Sequence, residues 1–163
     1  MLEQEIDSLV PSREFSRRGF VKTAVGSGFA AAVLPVTAQT IKTDSEGLTV
    51  GEVMIPVGDF KMPAYRAQPA GKTGLPVVLV VSEIFGVHEH IADVARRFAK
   101  LGYLAIAPEL FVRQGDAQSY GEIAKLVSEV IAKTPDKQVM GDLDASVAWA
   151  KANGGDTSKL GKI

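Results

Sequence analysis

The 163 residues contain no cysteine. Structural disulfides, thiolate metal sites and a cysteine nucleophile are therefore excluded within this chain. Neither charge is in excess: 18 basic against 19 acidic residues leave a net charge of −1. Binding to nucleic acid or to an anionic membrane surface usually shows as a basic surplus, which is missing. The uncharged stretch Thr23 to Val36 is about 14 residues long, short of the ~20 that span a bilayer as a helix, and Gly26 and Gly28 interrupt it. No stable membrane span is expected. Internal repeats are absent, and so is any Gly-x-Ser-x-Gly, the strained turn that presents a serine nucleophile in many hydrolases.

A patterned N-terminus is present. Ser16-Arg17-Arg18-Gly19-Phe20-Val21-Lys22 precedes the short apolar stretch, and Val36-Thr37-Ala38 follows it with small residues. A charged start, a short apolar centre and a small-residue exit describe a signal peptide. The pair Arg17-Arg18 resembles the twin-arginine export signal of bacteria. That resemblance implies the twin-arginine export machinery as a partner and a periplasmic or exported destination. Residues 1–38 are expected to be this signal, 39–47 a flexible linker and 48–163 the folded domain. An uncleaved N-terminal anchor is the alternative.

The domain is organised around Val77 to Val87, VVLVVSEIFGV. Its continuous apolar run fits a strand covered on both faces, as in a parallel sheet. It ends in an acid and a glycine turn, the place where open α/β sheets bind ligands. Upstream, Leu48–Pro56 and Phe60–Gln68 flank Val57-Gly58-Asp59 and read as a β-hairpin. Pro63 suggests an edge position for the second of these strands. Downstream, Ile91, Val94, Ala95, Phe98 and Leu101 make one face of a helix over 88–101, with Arg96, Arg97 and Lys100 outside that stripe. Gly102 ends it, and Tyr103–Ala107 is the next strand, completing a βαβ unit. A loop over 109–119 follows. Next come a helix over 120–133 with Ile123, Val127, Val130 and Ile131 inward, and a third helix over 138–152 on Val139, Leu143, Val147 and Ala150. Leu160 to Ile163 starts a further apolar segment.

Four stretches together resemble the dienelactone hydrolase family. They are Val80–Val87, His90–Ala99, Gly102–Phe111 and Gly141–Ala145. The resemblance implies an α/β class protein: a partial α/β-hydrolase fold, with an N-terminal β-hairpin leading into a parallel βαβ sheet flanked by helices. It implies a carboxymethylenebutenolidase-like hydrolase of small-molecule esters or lactones, with no cofactor. Glu83 would be the acid that interacts with the nucleophile at rest, and the Ile84 backbone N–H half of the oxyanion hole. Arg113 would contact a substrate carboxylate. The sequence departs from the family in carrying no elbow nucleophile, and the triad acid and histidine come later still in the family's order. The 163-residue chain is therefore expected to be an N-terminal portion, inactive alone.

Each candidate has a plainer reading. Glu83 could be a solvated or structurally paired acid, and Arg113 a solvated loop arginine. Asp93 could simply complement a helix N-terminus. His88 and His90 form His-x-His near acids, which alone is a weak metal signal. Rival functions are a non-catalytic exported binding module and a metal-binding protein built on His88 and His90.

Overall fold

The computed structural model describes residues 42–163. The signal assigned to 1–38, with Arg17 and Arg18, lies outside the described residues. A five-stranded sheet runs in the order β1-β2-β4-β3-β5. Strands β1 (Leu48–Val57) and β2 (Phe60–Pro69) form the hairpin, paired antiparallel from Leu48↔Pro69 to Val57↔Phe60. Gly58, at φ +58, is the first of its two turn residues, the glycine position of a type II′ turn.

Strand β3 (Leu75–Leu79) leads into helix α1 (Glu89–Lys100), and the chain returns in β4 (Leu104–Pro108) parallel to β3. Helices α2 (Ile123–Glu129) and α3 (Asp136–Ala152) follow. Strand β5 (Gly155–Lys162) then joins β3, again parallel. No helix among the described residues is long and apolar enough to cross a membrane.

The continuous apolar character of β3 is explained by the two layers that cover it. Val77 and Leu79 face one cluster, with Ile55, Met62, Leu104 and Ile106, against which the Val139, Leu143 and Val147 side of α3 packs. Val78 and Val80 face the other, with Ala105, Ala107 and the Ile91, Ala95 and Ala99 face of α1. Alternate residues of one strand thus serve two cores. The alanines of the second layer leave little side chain between helix and sheet.

Several expectations need correction. Strand β2 is interior, not an edge. Pro63 is tolerated because the β2–β4 register begins at Ala64↔Pro108. Beyond it, Pro63 only accepts, from the Glu109 N–H at 3.0 Å; a proline can accept but not donate. Leu101 is exposed, because it is the cap residue of α1 rather than part of its buried stripe. The helix expected over 120–133 is shorter. α2 ends at Glu129 and a 3₁₀ turn follows at Ile131–Lys133, with Leu126 and Val130 buried and Ile123 and Val127 exposed.

Arg96, placed outside the apolar stripe of α1, is buried. Its Nε donates to Thr43 O at 2.8 Å and its Nη2 to Glu89 at 2.6 Å. Asp93, also buried, accepts the Thr43 N–H and pairs with Arg97 at 2.6 Å. Lys100 holds Asp44 at 2.6 Å. Thr43, Asp44 and Glu46, in the segment expected to be a flexible linker, are therefore tied to α1. Burial pushes the Asp93 carboxyl up, but the Thr43 N–H and Arg97 outweigh that and hold it below its usual range. A depressed carboxylate stabilises above its unfolded pKa, and that contribution is lost as pH falls through the folded value. Acidification is thus expected to loosen residues 42–46 while the sheet persists, read as faster amide exchange at Thr43. Intrinsic-rate-corrected exchange that stays constant with pH would remove Asp93 from this role.

Candidate active site

The ladder of β3 continues past its last strand residue. Val80 N–H donates to Ile106 O at 2.8 Å, and Val81 N–H to Ile163 O at 2.7 Å. The chain then reverses in a four-residue turn, closed by Gly86 N–H to Glu83 O at 3.2 Å. Ile84 and Phe85 are its central residues. Gly86 follows at φ +73, in the left-handed region that glycine enters at no steric cost. Two residues later His88 caps the start of α1. The sequence-predicted turn thus lies between a buried strand end and a helix N-terminus.

Within that turn, the Ile84 N–H has no hydrogen-bond acceptor among the described residues. Its side chain is not idle either. It packs against Ala117, Leu126 and Val130 and so fastens the turn to α2. A backbone N–H held in place at such a strand end can receive a negatively charged oxygen.

Glu83 points away from the core, with its side chain 69% exposed and His88 Nε2 3.9 Å from its carboxylate. The buried polar residue at this strand end is its neighbour Ser82, whose hydroxyl has no partner among the described residues. A carboxylate this exposed carries no burial cost, which matches the solvated reading of Glu83. His88 stacks on His90 with ring centroids 6.2 Å apart. Among the described residues, no three His, Asp or Glu side chains come together as a metal-binding group.

Arg113 lies apart from the turn residues in its contacts. Its two terminal nitrogens donate to the two oxygens of Asp142, at 2.6 and 2.7 Å. The guanidinium also sits 4.3 Å over the ring of Phe60. Asp142 is fully buried on α3. This parallel two-bond pairing is the geometry an arginine would offer a substrate carboxylate, and here a carboxylate of the protein itself occupies it.

Sequence reasoning passed over Glu109. This residue leaves β4 directly after Pro108, and its Oε1 accepts the Val87 N–H at 3.0 Å. Burial pushes its carboxyl above the usual range; the Val87 N–H opposes this, while Asp116 and Glu52 add to it. Beside it opens a cleft of about 250 Å³ whose walls include Glu52, Tyr65, His88, Arg96 and Glu109. The signal was available: an acid at the carboxyl end of a buried strand, the argument that singled out Glu83 on β3.

The chain matches the sequence profile of the Dienelactone hydrolase family over residues 62–163. It is 55% identical over 161 residues to a candidate carboxymethylenebutenolidase of Methylorubrum extorquens, covering 98% of this chain and 55% of that protein. A candidate carboxymethylenebutenolidase of Escherichia coli K12 is 49% identical over 139 residues, covering 85% of this chain and 51% of the other. The crystal structure of a candidate dienelactone hydrolase from Klebsiella pneumoniae superimposes with a TM-score of 0.67 at 52% identity, over 69% of this chain and 48% of that one. The chain thus spans about half the length of the curated relatives it matches.

Proposed function

Because the chain belongs to the dienelactone hydrolase family, we propose that the protein carrying it hydrolyses a small-molecule ester or lactone. The observation that supports this best is the Ile84 N–H, which has no acceptor among the described residues and is held in a turn at the carboxyl end of β3. A nucleophile attacks the carbonyl carbon, and the carbonyl oxygen takes up negative charge. The Ile84 N–H donates to that oxygen as the charge develops. A histidine accepts the nucleophile's proton and returns it to the leaving oxygen, and water then releases the acyl group. Glu83, exposed beside the turn, interacts with the nucleophile before substrate arrives.

Neither a cysteine nor a Gly-x-Ser-x-Gly occurs in the 163 residues. The nucleophile, its histidine and the triad acid belong, in this proposal, to the part of the relatives' length that these residues do not span. The 163-residue chain alone is inactive. The protein is exported, on the strength of the Ser16–Lys22 motif.

The test is turnover of nitrophenyl esters and of a dienelactone by the whole encoded protein, set beside the 163-residue chain. Turnover by the first and none by the second is the expected result. No turnover by either, with no labelling by nucleophile-directed reagents, would favour the non-catalytic binding module. For export, replacing Arg17 and Arg18 with lysine is expected to leave the protein in the cytoplasm; unchanged fractionation would remove the signal.

A further inference from the structure

Two side chains from the segment that follows β4 hold Val87, one at its N–H and one at its carbonyl. Glu109 Oε1 accepts its N–H at 3.0 Å, and Gln118 Nε2 donates to its carbonyl at 3.1 Å. Glu109 is the better anchored of the two. Its own N–H donates to Pro63 O on β2, so its backbone extends the β2–β4 ladder by one bond. Gln118 is exposed.

The turn from Glu83 to Gly86 is thereby fixed at both ends. Upstream, Val80 and Val81 are bonded into the sheet. Downstream, the chain is fastened through Val87 to the exit of β4. Gly86 is shaped to this second attachment. A Cβ there would lie 2.7 Å from Glu109 Oε2, closer than a carbon and an oxygen can approach without displacement. Glycine at 86 therefore permits the left-handed backbone and also leaves room for the carboxylate. A donor to a developing oxyanion is effective only when it is already in place. The residue that restrains the turn therefore bears on the reaction without touching substrate.

We propose that Glu109 is a positioning residue: by accepting the Val87 N–H it holds the Glu83–Gly86 turn so that the Ile84 N–H is aimed at the carbonyl oxygen of the substrate. This rests on the reading of that turn as an oxyanion donor. The Gly86–Glu109 packing makes the same attachment sensitive from its other side.

The experiment compares Glu109→Gln, Glu109→Ala and Gly86→Ala in the whole encoded protein, with two readouts. Glutamine keeps an acceptor oxygen at the same place; alanine does not. Hydrogen exchange of the peptide spanning residues 82–88, followed by mass spectrometry, is expected to speed up by about tenfold or more in Glu109→Ala and Gly86→Ala. In Glu109→Gln it is expected to stay near the wild-type rate. Ester turnover is expected to lose on the order of tenfold to a hundredfold in kcat in Glu109→Ala, with KM within about twofold, and Glu109→Gln to recover most of it. Gly86→Ala combined with Glu109→Ala should lose less than the two losses multiplied, since removing the carboxylate relieves the clash with the added Cβ and leaves only the strain at φ +73.

Unchanged exchange in Glu109→Ala would overturn the proposal whatever the turnover does. So would faster exchange with an unaltered kcat, or a glutamine variant as impaired as the alanine one. If Glu109→Ala does not fold, Glu109→Met, which keeps the stem and removes the acceptor, carries the same two readouts. Should the wild type turn over no ester, the exchange arm still decides whether Glu109 holds the turn, and the hydrolase reading alone falls.

Discussion

Replacing Arg113 with alanine is expected to destabilise the domain by about 3–5 kcal/mol, the usual cost of removing one partner from a buried ion pair. The reason lies less in the arginine than in what it leaves behind. Asp142 is fully buried on α3, and its two carboxylate oxygens accept from the two terminal nitrogens of Arg113. Without them the carboxylate stays in the interior with no countercharge at that fork. The guanidinium also lies over Phe60 at the start of β2, so the loss loosens the hairpin from the helix layer. Arg113→Lys should recover only part of the stability, because an ammonium keeps the charge but not the planar fork. Arg113→Met with Asp142→Leu should recover more than Arg113→Ala retains, since two apolar residues of similar volume leave no orphaned charge. Urea unfolding midpoints decide the matter. If Arg113 were instead a solvated arginine waiting for a substrate carboxylate, the midpoint would not move, and the substitution would raise KM alone.

That pair also marks the boundary of what the sequence could disclose. Periodicity finds apolar residues. It placed the hairpin, β3, α1, β4 and α3 because each buries a regular row of side chains. It is blind to polar residues on the same inward faces. Arg96 on α1 and Asp142 and Ser146 on α3 are buried, yet by residue type each belongs on a solvated surface. Their partners lie far along the chain: Thr43 for Arg96, Arg113 for Asp142. Ser146 is different, since its hydroxyl turns back to the Asp142 carbonyl one helical turn earlier at 2.8 Å, a bond that hides a serine inside a helix. The opposite error has the same origin. Ile123 and Val127 fit an inward stripe by spacing, but α2 is short and buries only Leu126.

The candidate site was legible in part, for a chemical reason. The end of a buried strand followed by glycine is a local feature, so Glu83 to Gly86 could be located from sequence. How that turn is secured is not local. Glu109 is 22 residues from Val87, and only the parallel adjacency of β3 and β4 brings the two strand exits together. An acid follows each strand, Glu109 directly after β4 and Glu83 four residues past β3, and the topology gives the two acids different surroundings. Glu83 is left in solvent, while the carboxyl of Glu109 is half-buried against the turn that Glu83 begins.

The sharpest functional test of the turn is Ile84→Pro. A β-turn's second position accepts proline readily, because the ring presets the φ angle required there. Ile84 occupies that position, and its N–H serves no acceptor among the described residues. Proline therefore removes one hydrogen atom from the proposed oxyanion site without breaking a bond that the fold uses. Removing one oxyanion donor typically costs on the order of a hundredfold to a thousandfold in kcat, and a loss of that size is expected in the whole encoded protein, with KM little changed. Proline also shortens the side chain that packs against Ala117, Leu126 and Val130. Ile84→Ala separates this effect, since it gives up the same packing but keeps the N–H. Alanine is expected to lower the unfolding midpoint while leaving most of kcat, and proline to remove kcat at a comparable midpoint. Equal losses of kcat in the two variants would mean that position 84 acts through its side chain, and the turn would then be a structural corner rather than a donor.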